Sequence, residues 1–92
     1  IITSLPVTKG TVDSVQAYVR DIVKHAMEAK AVYVIIAHNH PHGTLTPSTN
    51  DIRFTLELEK ALAFINIRLI DHVIVSADKF ISLANQFDIF TK

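Results

Sequence analysis

Seven consecutive residues, Ala31 to Ala37 (AVYVIIA), are apolar or β-branched and run straight into His38-Asn39-His40. A run of that length and character reads as a β-strand. Because it is apolar on both faces, it is expected to be central in its sheet and covered on both sides. The chain must therefore supply covering layers. Ser14 to Ala29 supplies one: Val15, Val19, Ile22, Val23 and Ala26 recur at three and four residues, the period of an amphipathic helix, with Asp13 or Ser14 available as its cap. A polar loop, His38 to Pro47, follows the strand and is punctuated by Pro41, Gly43 and Pro47. Ser48 then opens a second helix as N-cap, with Asp51 three residues on in the capping-box arrangement. That helix is expected to run to Phe64, with Ile52, Leu56, Ala61 and Phe64 among its core candidates.

The remaining segments are shorter. Ile67 to Ser76 reads as a strand carrying the polar pair Asp71-His72, Ser76 to Lys79 as a turn, Phe80 to Ser82 as a returning strand, and Leu83 to Phe90 as a last helical piece. Ile1 to Leu5, stopped by Pro6, is a weak strand, and Val7 to Val12 with Lys9-Gly10 a turn or strand end. The order is thus β-α-β-loop-α-β-β, an α/β layered fold with a mixed sheet flanked by helices. Residues 1–92 are expected to form a single domain, and a chain that starts at Ile1 without methionine is expected to be a piece of a longer one.

Composition narrows the function. A domain of 92 residues buries a modest core and commonly leans on a metal or a partner. Lysine plus arginine equals aspartate plus glutamate, nine each, whereas a dedicated nucleic-acid binder usually carries a basic excess to neutralise phosphates. No apolar run approaches bilayer length and nothing reads as a signal peptide, so a cytoplasmic protein with no membrane partner is expected. Cysteine is absent, so a metal must be held by His, Asp or Glu. The short first strand and the edge at Phe80 to Ser82 are where a second copy would pair, as in a homodimer.

The chemistry concentrates between His38 and Asp51. His38 and His40 stand two apart at a strand end, so continued extended backbone points both imidazoles to one face. Asp51 lies in the first turn of the next helix, and the loop is long enough to fold it back toward them. Two histidines and one carboxylate, with a water completing the tetrahedron, are a catalytic zinc composition. Ser48 is either simply the helix cap or a donor to a developing oxyanion. The two roles overlap in part, because a cap uses the hydroxyl oxygen and leaves its proton free.

The run H-N-H-P-H-G-T-L-T-P-S-T-N-D matches H-x-H-P-x-G-x-x-x-P-S-x-x-D at His38, His40, Pro41, Gly43, Pro47, Ser48 and Asp51. In this it resembles the JAMM/MPN metallohydrolases. The flanks resemble the RadC branch: Gly10-Thr11-Val12-Asp13, Ile35-Ile36-Ala37-His38-Asn39-His40-Pro41, and Leu69-Ile70-Asp71-His72-Val73-Ile74-Val75. The likeness spans Gly10 to Leu83. It implies a cytidine-deaminase-like layered fold and a Zn2+-dependent hydrolase or metalloprotease, acting on a peptide or protein substrate through an amide or isopeptide bond. It also implies His38, His40 and Asp51 as metal ligands and Ser48 as the catalytic donor.

Two departures accompany the match. His42 stands where RadC proteins usually carry serine, either as a spare imidazole or as a solvated loop residue. The family's general-base glutamate belongs near Pro6, yet Ile1 to Lys9 contains neither Glu nor Asp. The base lies before Ile1, or is lacking in this branch, or another carboxylate stands in. A catalytically silent metal-binding module for DNA repair, recombination or protein interaction is therefore the alternative reading, and the neutral charge speaks against direct DNA binding. Asp71-His72 reads as a structural hydrogen-bonded pair, or else as support for the ligands. His25, Glu28, Glu57 and Glu59 read as solvated helix residues.

Overall fold

A computed structural model describes residues 15–40, 45–88 and 90. The expected strand at Ile1 to Leu5, the turn at Val7 to Val12, the caps Asp13 and Ser14, and His42 lie outside the described residues. The elements are α1 (Val15–Glu28), β1 (Tyr33–Asn39), α2 (Thr49–Phe64), β2 (Arg68–Ser76), β3 (Lys79–Ser82) and α3 (Leu83–Gln86). Among the described residues the sheet order is β1-β2-β3, with β1 parallel to β2 and β2 antiparallel to β3, a mixed sheet as the α/β reading requires. No helix of these is long and apolar enough to cross a membrane.

The core lies between the two long helices and one face of the sheet. Val19, Ile22 and Ala26 of α1 meet Leu58 and Leu62 of α2, together with Ile67 and Leu69, and Val34 and Ile36 of β1 pack against them. Helix α1 buries Val19, Ile22 and Ala26 of the stripe its periodicity marks and half-buries Val23. Helix α2 departs from its expected stripe: its buried residues are Asp51, Thr55, Leu58 and Leu62, whereas Leu56 is 40% exposed and Phe64 90%. Ile52 and Ala61 are half-buried. The helix has apolar residues in two phases, and the sheet selects the phase that also carries Asp51 inward.

Strand β1 begins two residues later than its apolar run and continues through His38 and Asn39. Val34, Ile36 and His38 face the helices, while Tyr33 and Ile35 on the other face are 62% and 63% exposed. Cover on both sides is thus not found among the described residues, where β1 is also an outer strand of the sheet. The pleat explains the split: alternate side chains take opposite faces, and both long helices sit on one of them.

Strand β2 carries one residue too many for simple pairing. Val34 pairs with Leu69 but Ile35 pairs with Asp71, so Ile70 is a bulge. Such a one-residue bulge, rare in parallel pairs, inverts the alternation beyond it. Leu69 and His72, three apart, therefore both face the helices, followed by Ile74 and Ser76. Asp71 is turned the other way. Its Oδ1 accepts the N–H groups of His72 (2.7 Å) and Ala84 (2.9 Å), and its Oδ2 accepts the Ser82 hydroxyl. Asp71 thus ties α3 to β2, and the two neighbours of the Asp-His pair do separate work on opposite faces.

Truncating Leu58, which is fully buried, to alanine is expected to cost about 2–5 kcal/mol of unfolding free energy. Phe64→Ala, at a site 90% exposed, should stay within about 0.5 kcal/mol. Urea unfolding midpoints of the two variants check which phase of α2 faces the core.

Candidate metal centre

The end of β1 and the start of α2 build the site. The His40 N–H donates to the Val75 carbonyl (2.9 Å), so extended backbone continues past the last residue of β1. The buried Ser76 donates its hydroxyl to the His40 carbonyl at 2.8 Å, holding the same residue from the other side of its peptide. His38 and His40 consequently share a face, with ring centroids 4.7 Å apart and planes perpendicular.

Asp51 arrives through a capping box. Ser48, extended at φ −78° and ψ 166°, accepts the Asp51 N–H on its Oγ (3.0 Å), and Asp51 Oδ2 accepts the Ser48 N–H (2.8 Å). This reciprocal pair satisfies two donors that a helix start leaves open. The same carboxylate faces both imidazoles: Oδ2 lies 2.9 Å from His40 Nε2, and Oδ1 lies 3.3 Å from His38 Nδ1. One ligand atom from each of His38, His40 and Asp51 falls within 4.8 Å of the others, close enough for a single small cation to touch all three. The residues read from the sequence as a ligand set are therefore brought together. Ser48 is where the capping role puts it, exposed at the rim, with its hydroxyl oxygen occupied by the cap and its proton without an acceptor among the described residues.

Burial alone would raise the Asp51 carboxyl, and this is the largest single influence on it. Hydrogen bonds from Ser48 and the adjacent His38 and His40 together outweigh it and hold the group below its ordinary value. Asp51 is thus an anion at neutral pH.

Behind these residues sits a shell in which the sequence reading singles out His72 but not Thr55 or Ser76. Thr55, one turn along α2 from Asp51, is fully buried and touches both the Asp51 carbonyl and His72 Nδ1, each at 2.7 Å. His72 is 1% exposed, its ring 5.7 Å from that of His38. Burial above all, then the neighbouring His38, pushes the His72 imidazole down to about 4, against the opposing pull of Asp51 and Asp71. The helical spacing from Asp51 would have pointed to Thr55, and the polar end of an apolar strand to Ser76. Elsewhere, His25 pairs with Asp21 and Glu28 on the outer side of α1. Glu57 and Glu59 are half-buried rather than solvated.

Residues 1–88 match the sequence family described as RadC-like JAB domain. Among similar proteins, a UPF0758 protein of Cellvibrio japonicus is 44% identical over 78 residues, covering 85% of this chain and 35% of the relative. A UPF0758 protein of Bordetella bronchiseptica is 44% identical over 86 residues, covering 94% of this chain and 38% of the relative. The chain thus spans little more than a third of the length of these relatives.

An imidazole at about 4 when folded, against roughly 6.5 when unfolded, takes its proton first in the unfolded state. The stability of the metal-free protein should therefore be complete above about pH 6.5 and decline as pH falls toward 4. The lowered Asp51 carboxyl extends the decline below its ordinary 3.8. Melting temperatures across pH 4–8 check this, and His72→Asn, which cannot titrate there, should flatten the upper part of the acid limb.

Proposed function

Because the chain belongs to the RadC-like JAB domain family, we propose that it is a zinc-dependent hydrolase domain acting on an amide or isopeptide bond, with His38, His40 and Asp51 as the metal ligands. The observation that carries this reading is the convergence of two imidazoles and one ionised carboxylate from two different elements. Ligand atoms around a tetrahedral zinc with bonds near 2.0–2.2 Å stand roughly 3.3 Å apart. Asp51 Oδ1 lies 3.3 Å from His38 and Oδ2 2.9 Å from His40, and one ligand atom from each of the three residues falls within 4.8 Å of the others, near that spacing. The donor set has no thiolate, and among the described residues it supplies three ligands, which leaves a fourth tetrahedral position for a non-protein ligand, as in catalytic sites.

When bound, zinc supplies Lewis acidity, bringing a water's pKa to about 7 and polarising a carbonyl. The chain's own residues set the surroundings for that chemistry. The Asp51 anion offsets part of the positive charge. The capping box fixes the direction of the carboxylate before any metal arrives, which lowers the ordering cost of binding. Ser48 keeps an unspent hydroxyl proton beside Asp51, suited to donate to a substrate oxygen as negative charge develops there.

A second reading is favoured by one observation: Ile1 to Lys9 contains no Glu or Asp to act as the upstream base. On that reading the domain binds metal without hydrolysing anything and serves as an accessory module in DNA repair or in protein interaction. General acid–base assistance contributes roughly 10²–10⁴-fold, so the two readings differ measurably.

Untagged protein is expected to hold one equivalent of zinc by elemental analysis. Asp51→Asn, which keeps an oxygen for the Ser48 cap but loses the charge, should lose that zinc and remain folded. Zinc at a hundredfold excess over Kd should raise stability by about 2.7 kcal/mol in the parent and not in the variant. Full zinc retention by Asp51→Asn overturns the ligand assignment. Zinc-dependent cleavage of an isopeptide-linked substrate by the full-length protein supports the hydrolase, and zinc binding without cleavage supports the silent module.

A further inference from the structure

His72 is the buried titratable group that the proposed chemistry leaves unused, and its position has a specific cause. In a regular strand Leu69 would share its face with Asp71, and His72 would point away from the helices. The extra residue Ile70 reverses this and turns His72 inward at the register position of Ile36, two residues before His38. Bulges are over-represented beside functional sites, where they re-aim a side chain.

The protons around Thr55 can be assigned. The Thr55 hydroxyl has one proton and two contacts, the Asp51 carbonyl and His72 Nδ1, each at 2.7 Å. A carbonyl oxygen brings no proton, and two oxygens 2.7 Å apart without one between them repel, so the hydroxyl proton lies toward Asp51. The contact to His72 then needs a proton from the ring. His72 is accordingly neutral with Nδ1–H, the reverse of the tautomer free imidazole usually prefers. Its Nε2 is a buried acceptor with no hydrogen-bond partner among the described residues. The ring lies 5.7 Å from that of His38, centroid to centroid and tilted by 33°, and Phe54 stands edge-on at 6.0 Å.

We propose that His72 is a positioning residue for the His38, His40 and Asp51 centre, holding the Asp51 backbone through the Thr55 hydroxyl while its ring backs His38. The two elements that supply the ligands, β1 and α2, are thereby spaced from a single side chain on β2. The inference rests on the metal-centre reading. It adds that His72 and Thr55, which touch no metal themselves, set the affinity of that centre. Partners that orient metal ligands are worth about 10–100-fold in affinity.

The test measures zinc Kd by competition with a chromophoric chelator, together with the nitrogen-15 NMR signature of His72 in metal-free protein. Thr55→Val removes the hydroxyl at constant shape and should weaken zinc binding by about 10–100-fold. Thr55→Ser keeps the hydroxyl and should stay near the parent value. His72→Asn presents an amide N–H close to the place of Nδ1–H and should bind more tightly than His72→Ala. The cobalt-substituted parent and the Thr55→Val variant should differ in their visible d–d spectrum, which a role confined to folding would not move. Nδ1–H in the NMR spectrum is the expected tautomer, and Nε2–H overturns the proposal even if Thr55→Val fails to fold. Parent-like zinc affinity in a folded Thr55→Val also overturns it. A parent protein that binds no zinc defeats the metal-centre reading instead, so the two failures are told apart.

Discussion

A single carboxylate carries two obligations in this fold. Asp51 closes the first turn of α2 by accepting the Ser48 N–H, and it also stands between the imidazoles of His38 and His40. Neither job can be altered alone. A carboxylate near a helix start is favoured by the orphan N–H groups there and by the helix dipole, so the fold stabilises the anion that a cation would need. The histidines are equally constrained, because His40 is held through its N–H by Val75 and through its carbonyl by Ser76. The site is therefore made of backbone-anchored parts, with little left for a side chain to search. That is the arrangement expected of a centre organised before its ligand arrives.

Strand β2 does most of the organising although it supplies no candidate ligand. Its inward residues reach α2 through His72 and Thr55, its end reaches His40 through Ser76, and its outward Asp71 gathers β3 and α3. The polar residues that interrupt an otherwise apolar strand are thus each assigned a partner on a different element. This division also accounts for the buried hydroxyls of Thr55 and Ser76, which would otherwise cost about 1–3 kcal/mol apiece if left unpaired.

The sequence made the site more legible than the surfaces around it, for local reasons. The spacing of His38 and His40 and the Ser48–Asp51 box are short-range patterns whose geometry needs no knowledge of the rest of the chain. The buried face of α2 is not local. Ile52, Leu56 and Phe64 are as apolar as Leu58 and Leu62, and only the seat of the helix on the sheet decides between them; Ala61, the fourth candidate, does pack against the core. The apolar run overstates β1 at its start, because apolar character begins at Ala31 whereas pairing with β2 begins at Tyr33. Among the described residues, the non-glycine residues Lys30 (54°), Asn66 (61°) and Ala77 (52°) adopt positive φ, where a glycine would have marked the bend. The ends of α1 and α2 and the β2–β3 turn were nevertheless readable, because the apolar patterns stop there. His72 was the hardest to place, since nothing in the letters of β2 announces that Ile70 is an extra residue.

The bulge at Ile70 also bears on how this strand can change over evolutionary time. Replacing a residue of β2 alters one side chain, and removing Ile70 itself would only restore the regular pleat, because Leu69, Asp71 and His72 already pair with the consecutive residues Val34, Ile35 and Ile36. His72, Ile74 and Ser76 would keep facing the helices, and Asp71, Val73 and Val75 the other side. Lineages that keep this site are thus free to gain or lose the extra residue, provided His72 stays opposite Ile36.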